Sequence, residues 1–281
     1  MTFIKRAIAA LSVAIASMPA SALVVDAFDR GWYRRNTVTG AYDHQTTNLN
    51  YITGFGFINV GTPAAPINQA VATRSFFGFD LSAYAGQSFT AGTLHLYNPR
   101  TGDPIHNPLG DGTASNNGFF QFNSNPANTR ACAPPSPALS LVACEGFELY
   151  DVVSNINAVL NGPLSAADSA TFNDLGSGTA YGNYVASASD NGRFIDITLN
   201  TAGLAAINAA VGSRFLVGGR LTTVDAGLGS KTVFGFTDQD LPDTQLILTP
   251  AQVPEPGALC LMGAALFALG VTRRRKGLRF A

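Results

Sequence analysis

The three histidines are the first candidates for catalytic side chains, and their spacing argues against catalysis. His44, His95 and His106 are scattered, and no His-Glu-x-x-His metal motif includes any of them. The chain also lacks a Gly-x-Ser-x-Gly nucleophile elbow and a glycine-rich phosphate loop followed by lysine. The sequence therefore predicts a protein that is not an enzyme. A hydrolase with dispersed carboxylates stays as an alternative, because paired carboxylates need only meet in space.

The acidic segment from Thr237 to Asp243 is the best candidate for a metal site. Asp238, Asp240 and Asp243 offer hard oxygen ligands that suit Ca²⁺. The segment lacks the central glycine and terminal glutamate of an EF-hand loop, and a solvated acidic loop before the last strand is the favoured alternative. A structural Ca²⁺ is the only cofactor that the sequence suggests.

Aromatic residues near the start of the chain form a second candidate site. Trp32 and Tyr33 precede Arg34 and Arg35, and Asn48 follows. Exposed aromatic rings beside asparagine and arginine suit sugar stacking and the recognition of hydroxyl groups. The alternative is that these rings pack within ordinary strands.

The elements that must position these side chains are mainly β-strands. Ser75–Phe79 places Phe77 and Phe79 on one face and Phe76 on the other, and such alternation is typical of strands. The other predicted strands are Tyr51–Val60, Thr93–Tyr97, Gly118–Phe122, Phe147–Val152, Tyr181–Ser187, Arg193–Leu199, Arg214–Leu221, Thr232–Phe236 and Thr244–Leu248. His95 alternates with Leu94 and Leu96, so we expect it on the outer surface of a sheet.

Two short helices interrupt the strands. Apolar residues recur at helical spacing from Val152 to Leu160, and again from Leu204 to Val211 behind Thr201 as a predicted N-cap. Because isolated helices follow several strands, the pattern predicts an all-β fold, an antiparallel β-sandwich of jelly-roll type.

Two cysteines lie in the body of the chain, Cys132 and Cys144, and the third lies in the apolar C-terminal run. In an oxidising exterior compartment we expect this pair to form a disulfide. A redox or metal site is disfavoured because no further ligand is near in sequence.

The N-terminus predicts export. Lys5 and Arg6 precede an apolar run, and Ala20-Ser21-Ala22 fits a small-residue cleavage site, so residues 1–22 read as a secretory signal peptide. Residues 23–250 then form the body. Seven of the 17 basic residues lie in the terminal segments, whereas 17 of the 18 acidic residues lie in the body, whose net charge is therefore about −7. This charge argues against nucleic-acid binding.

The C-terminal segment, residues 251–281, has three parts. Val253-Pro254-Glu255-Pro256 is non-helical because proline lacks an amide donor and restricts its neighbour. A hydrophobic helix is predicted for residues 257–271, about 22 Å long and short for the ~30 Å hydrocarbon core. Arg273, Arg274, Arg275 and Lys276 then form a basic stop that stays cytoplasmic.

These three parts, in this order, resemble the PEP-CTERM sorting tail of bacterial surface proteins. The resemblance implies an exosortase-type processing enzyme as partner, a transient stage at the inner membrane, and a final location at the cell surface or outside it. It also implies association with exopolysaccharide or biofilm matrix. The alternative is a plain C-terminal anchor that is never cleaved.

The body shows a second resemblance, to DNRLRE-type β-sandwich domains. Its basis is Arg74–Leu81 followed by Thr90–Tyr97, and then Tyr150–Ser154 with the short helical segment after it. Such domains are jelly rolls related in shape to carbohydrate-binding modules. A carbohydrate-binding module is therefore the main alternative to a non-enzymatic surface or matrix protein.

Overall fold

Strands dominate the part of the chain that the computed structural model describes, which comprises residues 21–45, 51–59, 65, 67–98, 145–161, 168–186, 193–222, 231–233 and 244–251. Residues Ala22–Thr249 form one compact unit. The strands are β1 Leu23–Asn36, β2 Tyr42–Gln45, β3 Thr53–Asn59, β4 Asn68–Asp80, β5 Phe89–Asn98, β6 Glu145–Asp151, β7 Ala180–Ala186, β8 Arg193–Thr198, β9 Arg214–Leu221, β10 Lys231–Val233 and β11 Thr244–Pro250. The helices are a 3₁₀ turn at Ser82–Tyr84, α1 Ile156–Asn161, α2 Asp168–Asp174 and α3 Thr201–Ala210.

The strands join in the order β7-β6-β9-β4-β1-β11-β5-β8, with β2 beside β1, β3 beside β4 and β10 beside β3. The two strands at the ends of this order, β7 and β8, lie next to each other. Asn200, just after β8, donates from its amide to the Tyr181 carbonyl of β7 over 2.7 Å, and from its side chain to the Ala180 carbonyl over 2.8 Å. The sheet is thus nearly closed into a barrel.

A β-bulge in β1 allows this strand to pair with both β11 and β4. Leu23–Asp26 pair with β11, whereas the register with β4 shifts between Ala27 and Asp29 and then continues to Asn36. A bulge bends a strand and increases its twist, which is how strands turn the corners of sandwiches and barrels. The paired strands are antiparallel, so the predicted all-β antiparallel fold with few short helices is confirmed.

Two apolar cores lie on opposite faces of the sheet. The inner core contains Phe77, Phe79, Leu94, Leu96 and Ile197 among others. The outer core lies beneath α1 and α2 and consists of Tyr33, Phe76, Val159, Leu160, Phe172, Leu175 and Leu216. The faces predicted for Phe76, Phe77 and Phe79 are therefore confirmed.

Both predicted helices form, but their starts differ from the prediction. The first begins at Ile156 rather than at Val152, because the Asn155 side chain accepts hydrogen bonds from the amides of Asn157 (2.9 Å) and Ala158 (3.3 Å). The second is capped by Asn200 and not by Thr201, since the Asn200 side chain accepts from the Gly203 amide over 3.0 Å. The sequence did not predict α2.

The Asn200 side chain both caps α3 and holds the closing edge of the barrel. We expect Asn200→Ala to lower the free energy of unfolding by about 2 kcal/mol, because a lost N-cap costs about 1 kcal/mol and the bond to the Ala180 carbonyl is lost as well. Urea unfolding would measure the change. Thr201→Ala, which removes the side chain first predicted as the cap, should cost much less; equal losses would contradict the assignment.

Candidate functional site

A surface site lies on the outer face of β5 and β8. The two strands pair with His95 opposite Asp196 and Tyr97 opposite Phe194. Their alternate residues, Leu94 and Leu96 on β5 with Ile195 and Ile197 on β8, point into the inner core. Because successive side chains of a strand point to opposite faces, His95, Tyr97, Phe194 and Asp196 share the outer face. These four residues are called the β5–β8 patch.

The β5–β8 patch is held together by its own contacts. His95 Nδ1 lies 2.6 Å from Asp196 Oδ1, and the imidazole stacks on the Phe194 ring with centroids 4.5 Å apart and planes 7° apart. Tyr97 meets the same phenyl ring edge-on, with centroids 5.1 Å apart. The Phe194 ring is thereby fixed between two aromatic neighbours, and the Asp196 carboxylate has a set orientation.

The exposed members of the β5–β8 patch are Phe194 and Asp196. Phe194 is 46% exposed, and the Asp196 side chain is 65% exposed whereas that of His95 is 23% exposed. The patch therefore presents an apolar ring and a hydrogen-bond acceptor side by side to solvent.

The protonation of the His95 ring follows from its partner. An ionised carboxylate only accepts hydrogen bonds, so the Nδ1–H group of His95 is the donor and Asp196 Oδ1 is the acceptor. In the described residues no hydroxyl or thiol is hydrogen-bonded to His95. This arrangement can orient a polar ligand, which is a binding role.

The expectation that His95 lies on the outer surface of a sheet is confirmed. The sequence analysis did not single out Phe194 and Asp196. The alternation in Arg193–Leu199 could have identified them. Ile195 and Ile197 occupy the buried positions of β8, and Phe194 is an apolar residue at one of the exposed positions between them.

The structure buries the aromatic residues that were predicted to bind a ligand. Tyr33 has no exposed surface, its hydroxyl donates to the Val159 carbonyl over 2.8 Å, and its ring stacks on His44. Trp32 is 8% exposed and lies under the Arg34 guanidinium at 4.9 Å. This burial supports the alternative in which both rings pack within strands.

Several predicted sites lie outside the described residues. They are the disulfide of Cys132 and Cys144, the acidic segment with Asp238, Asp240 and Asp243, Ala20 of the cleavage site, the motif Val253, Pro254, Glu255 and Pro256, the stop Arg273, Arg274, Arg275 and Lys276, and the hydrophobic helix between them. Ala22, the other residue of the cleavage site, lies within the described range and is exposed. These assignments stay predictions. Within the ranges that the structure covers, no cluster of three or more His, Cys, Asp or Glu side chains is arranged to hold a metal ion.

None of the helices in the described ranges is both long enough and apolar enough to cross a membrane.

Residues 252–276 match the family model of the PEP-CTERM protein-sorting motif. The resemblance stated for the tail is thereby confirmed, and it marks an exported protein that an exosortase-type enzyme processes on the way to the cell surface. The match covers the tail and leaves the body unassigned, so the likeness to DNRLRE-type domains stays a prediction. No curated protein matches the chain.

Proposed function

We propose that this protein, exported and sorted through its PEP-CTERM tail, is a non-enzymatic component of the cell surface or extracellular matrix that associates with exopolysaccharide. The observation that carries the proposal is the β5–β8 patch, where the exposed Phe194 ring lies beside the exposed Asp196 carboxylate. The sorting tail supports the context, because it directs the patch to the compartment where exopolysaccharide accumulates.

The chemistry of the β5–β8 patch suits a saccharide. A sugar ring has an apolar C–H face that stacks on an aromatic ring, and hydroxyl groups at its rim that donate to a carboxylate. His95 already fixes both groups, by stacking on Phe194 and by bonding to Asp196. A ligand would therefore immobilise few side chains on binding, which lowers the entropic cost of association. The carbohydrate-binding module predicted as an alternative would use the same patch.

Binding without turnover is favoured over hydrolysis. Glycoside hydrolysis requires two carboxyl groups flanking the scissile bond, whereas Asp196 lies beside an imidazole and an aromatic ring. Incubation of the full-length protein with exopolysaccharide from the producing cells should release no reducing ends. Their release at a rate proportional to protein concentration would make the protein a hydrolase and end the non-enzymatic proposal.

Phe194→Ala should weaken binding to exopolysaccharide about tenfold, because a central aromatic anchor contributes more than 1 kcal/mol to binding. Affinity electrophoresis of the full-length protein in a non-ionic detergent gel, with increasing amounts of exopolysaccharide from the producing cells, would measure the dissociation constant. The His95 and Asp196 side chains remain in this variant.

Val153→Ala is the matched control. Val153 precedes α1 and is 82% exposed, so the variant also removes an exposed apolar side chain but leaves the β5–β8 patch intact. We expect this variant to be retarded like the unmodified protein. Equal retardation of all three proteins would show that the patch does not bind the polymer, and no retardation of any of them would refute exopolysaccharide association.

A further inference from the structure

Two arginines face each other on neighbouring strands near α2. Ser75 of β4 pairs with Gly219 of β9, so the antiparallel register places Arg74 opposite Arg220. Their side chains converge, since a Cβ added to Gly176 would lie 2.8 Å from Arg74 Nε and 2.8 Å from Arg220 Cδ. Like charges directly opposite each other destabilise a sheet, so this juxtaposition needs a compensating group.

At the other end of the same strand pair, an arginine lies opposite a carboxylate. Arg214 of β9 pairs with Asp80 of β4. Hydrogen bonds from Ser82 lower the pKa of Asp80 first, and the Arg214 guanidinium lowers it further. At one end of the β4–β9 pair, Asp80 lies opposite Arg214. At the other end, Arg74 takes the position opposite Arg220.

The two facing arginines contact backbone carbonyls and an aromatic ring. Arg74 Nη1 donates to the carbonyls of Phe172 (2.5 Å) and Asn173 (2.9 Å) at the end of α2. Arg220 lies over the Tyr150 ring at 5.1 Å, and its buried Nε has no hydrogen-bond partner in the described part of the chain. Across those residues neither guanidinium forms an ion pair with a carboxylate.

One carboxylate lies beside this pair of arginines. Glu148 pairs with Arg220 across β6 and β9, and one of its carboxylate oxygens accepts from the Tyr150 hydroxyl, so Glu148 offsets part of the positive charge. Burial, Arg220 and the more distant Arg35 lower the pKa of Arg74 to about 10. Arg35 is exposed, whereas Arg74 and Arg220 are half-buried, so this group of cations is open to solvent on one side.

We propose that Arg74 and Arg220, with Arg35 at the exposed rim, form a binding site for an oxyanion such as a carboxylate or sulfate group. Guanidinium groups present paired N–H donors that match the two oxygens of such a group, and the buried Nε of Arg220 would gain an acceptor. The anion would also relieve the repulsion between the facing arginines. The oxyanion could belong to an acidic polysaccharide or to a small inorganic ion. This site is separate from the β5–β8 patch and does not rest on the function proposed for it.

The test is thermal unfolding of the full-length protein in detergent with sodium sulfate, against sodium chloride at equal ionic strength. A site occupied at millimolar sulfate should raise Tm by about 3 °C beyond the general effect of sulfate on proteins. Arg220→Met should abolish this extra rise. Arg214→Met, which removes an arginine from the same strand and face but leaves Arg74 and Arg220 in place, should retain it. An extra rise that persists in Arg220→Met, or that disappears equally in Arg214→Met, would overturn the proposal.

Two further arms complete the experiment. If Arg220→Met does not fold, Arg35→Gln at the exposed rim should reduce the rise in Tm at least twofold, and an unchanged rise would count against the site.

Polygalacturonate and neutral dextran separate the two sources of the oxyanion. Tighter binding of polygalacturonate than of sulfate, lost in Arg220→Met, identifies an acidic polymer, whereas sulfate binding alone identifies a small inorganic ion. Equal binding of dextran and polygalacturonate would contradict oxyanion recognition. Phe194→Ala should leave the sulfate response unchanged, so the two proposals can fail independently.

Discussion

Gly218→Ala is expected to lower the free energy of unfolding by about 3 kcal/mol, at the upper end of the cost of overpacking. A Cβ at this position would lie 2.5 Å from the carbonyl oxygen of Leu175 and 2.7 Å from its Cα. Both obstacles are backbone atoms, so no side-chain rotation can make room for the methyl group. The turn after α2 would have to move away from β9 and would take Leu175 out of the outer core.

Equilibrium unfolding in urea, followed by tryptophan fluorescence, would measure this loss. Trp32 is the single tryptophan and is 8% exposed, so its emission reports on the folded body. Gly40→Ala is the control, because Gly40 has a φ of 75° but no atom within 4 Å of an added Cβ. It should cost about 1 kcal/mol, the penalty of left-handed backbone alone. A loss for Gly218→Ala no greater than that for Gly40→Ala would show that α2 does not pack on β9 as closely as described.

Phe77→Ala is expected to be at least as damaging, with a loss of about 4 kcal/mol. Phe77 has no exposed surface and lies in the inner core, where its ring meets that of Tyr51 edge-on at 5.1 Å. Truncation removes the apolar area of the ring and leaves a cavity. The middle of a closely packed, nearly closed sheet cannot collapse to fill that cavity.

Phe194→Ala provides the matched comparison, because the same truncation at an exposed position should cost less than about 1 kcal/mol. Urea midpoints of the two variants would settle the difference. Similar losses at both positions would contradict the assignment of Phe77 to the inner core and of Phe194 to the surface. A small loss at Phe194 would also show that reduced polymer binding by this variant does not result from unfolding.

Local patterns in the sequence predicted many of the individual elements. Strands form where the sequence alternates, in Ser75–Phe79 and Arg193–Leu199, and a helix forms where the helical spacing follows Thr201. These periods are set by the geometry of a single element. Other elements lacked such a signal. The bulge between Ala27 and Asp29 interrupts the alternation of β1. The apolar residues of α2, Ala170 and Phe172, are two positions apart, which is not a helical spacing.

The candidate sites depended on how distant strands pair. The sequence alone could place His95 on the outer face of one strand and Asp196 on another, but only the β5–β8 register brings them to 2.6 Å. In the same way nothing in the sequence connects Arg74 with Arg220, which become neighbours through the β4–β9 pairing. Tyr33 was predicted from the sequence to contact a ligand, but in the structure α1 covers it and its hydroxyl donates to the Val159 carbonyl.

The sequence by itself determined where the protein goes, and only the tertiary structure decided what its surface can bind. The sorting motif at residues 252–276 is contiguous in the sequence, so its recognition does not depend on how distant strands pair. A binding surface on a sheet joins side chains from separate strands. Its composition follows from the register and from which face is covered, and both are set by long-range burial of apolar surface.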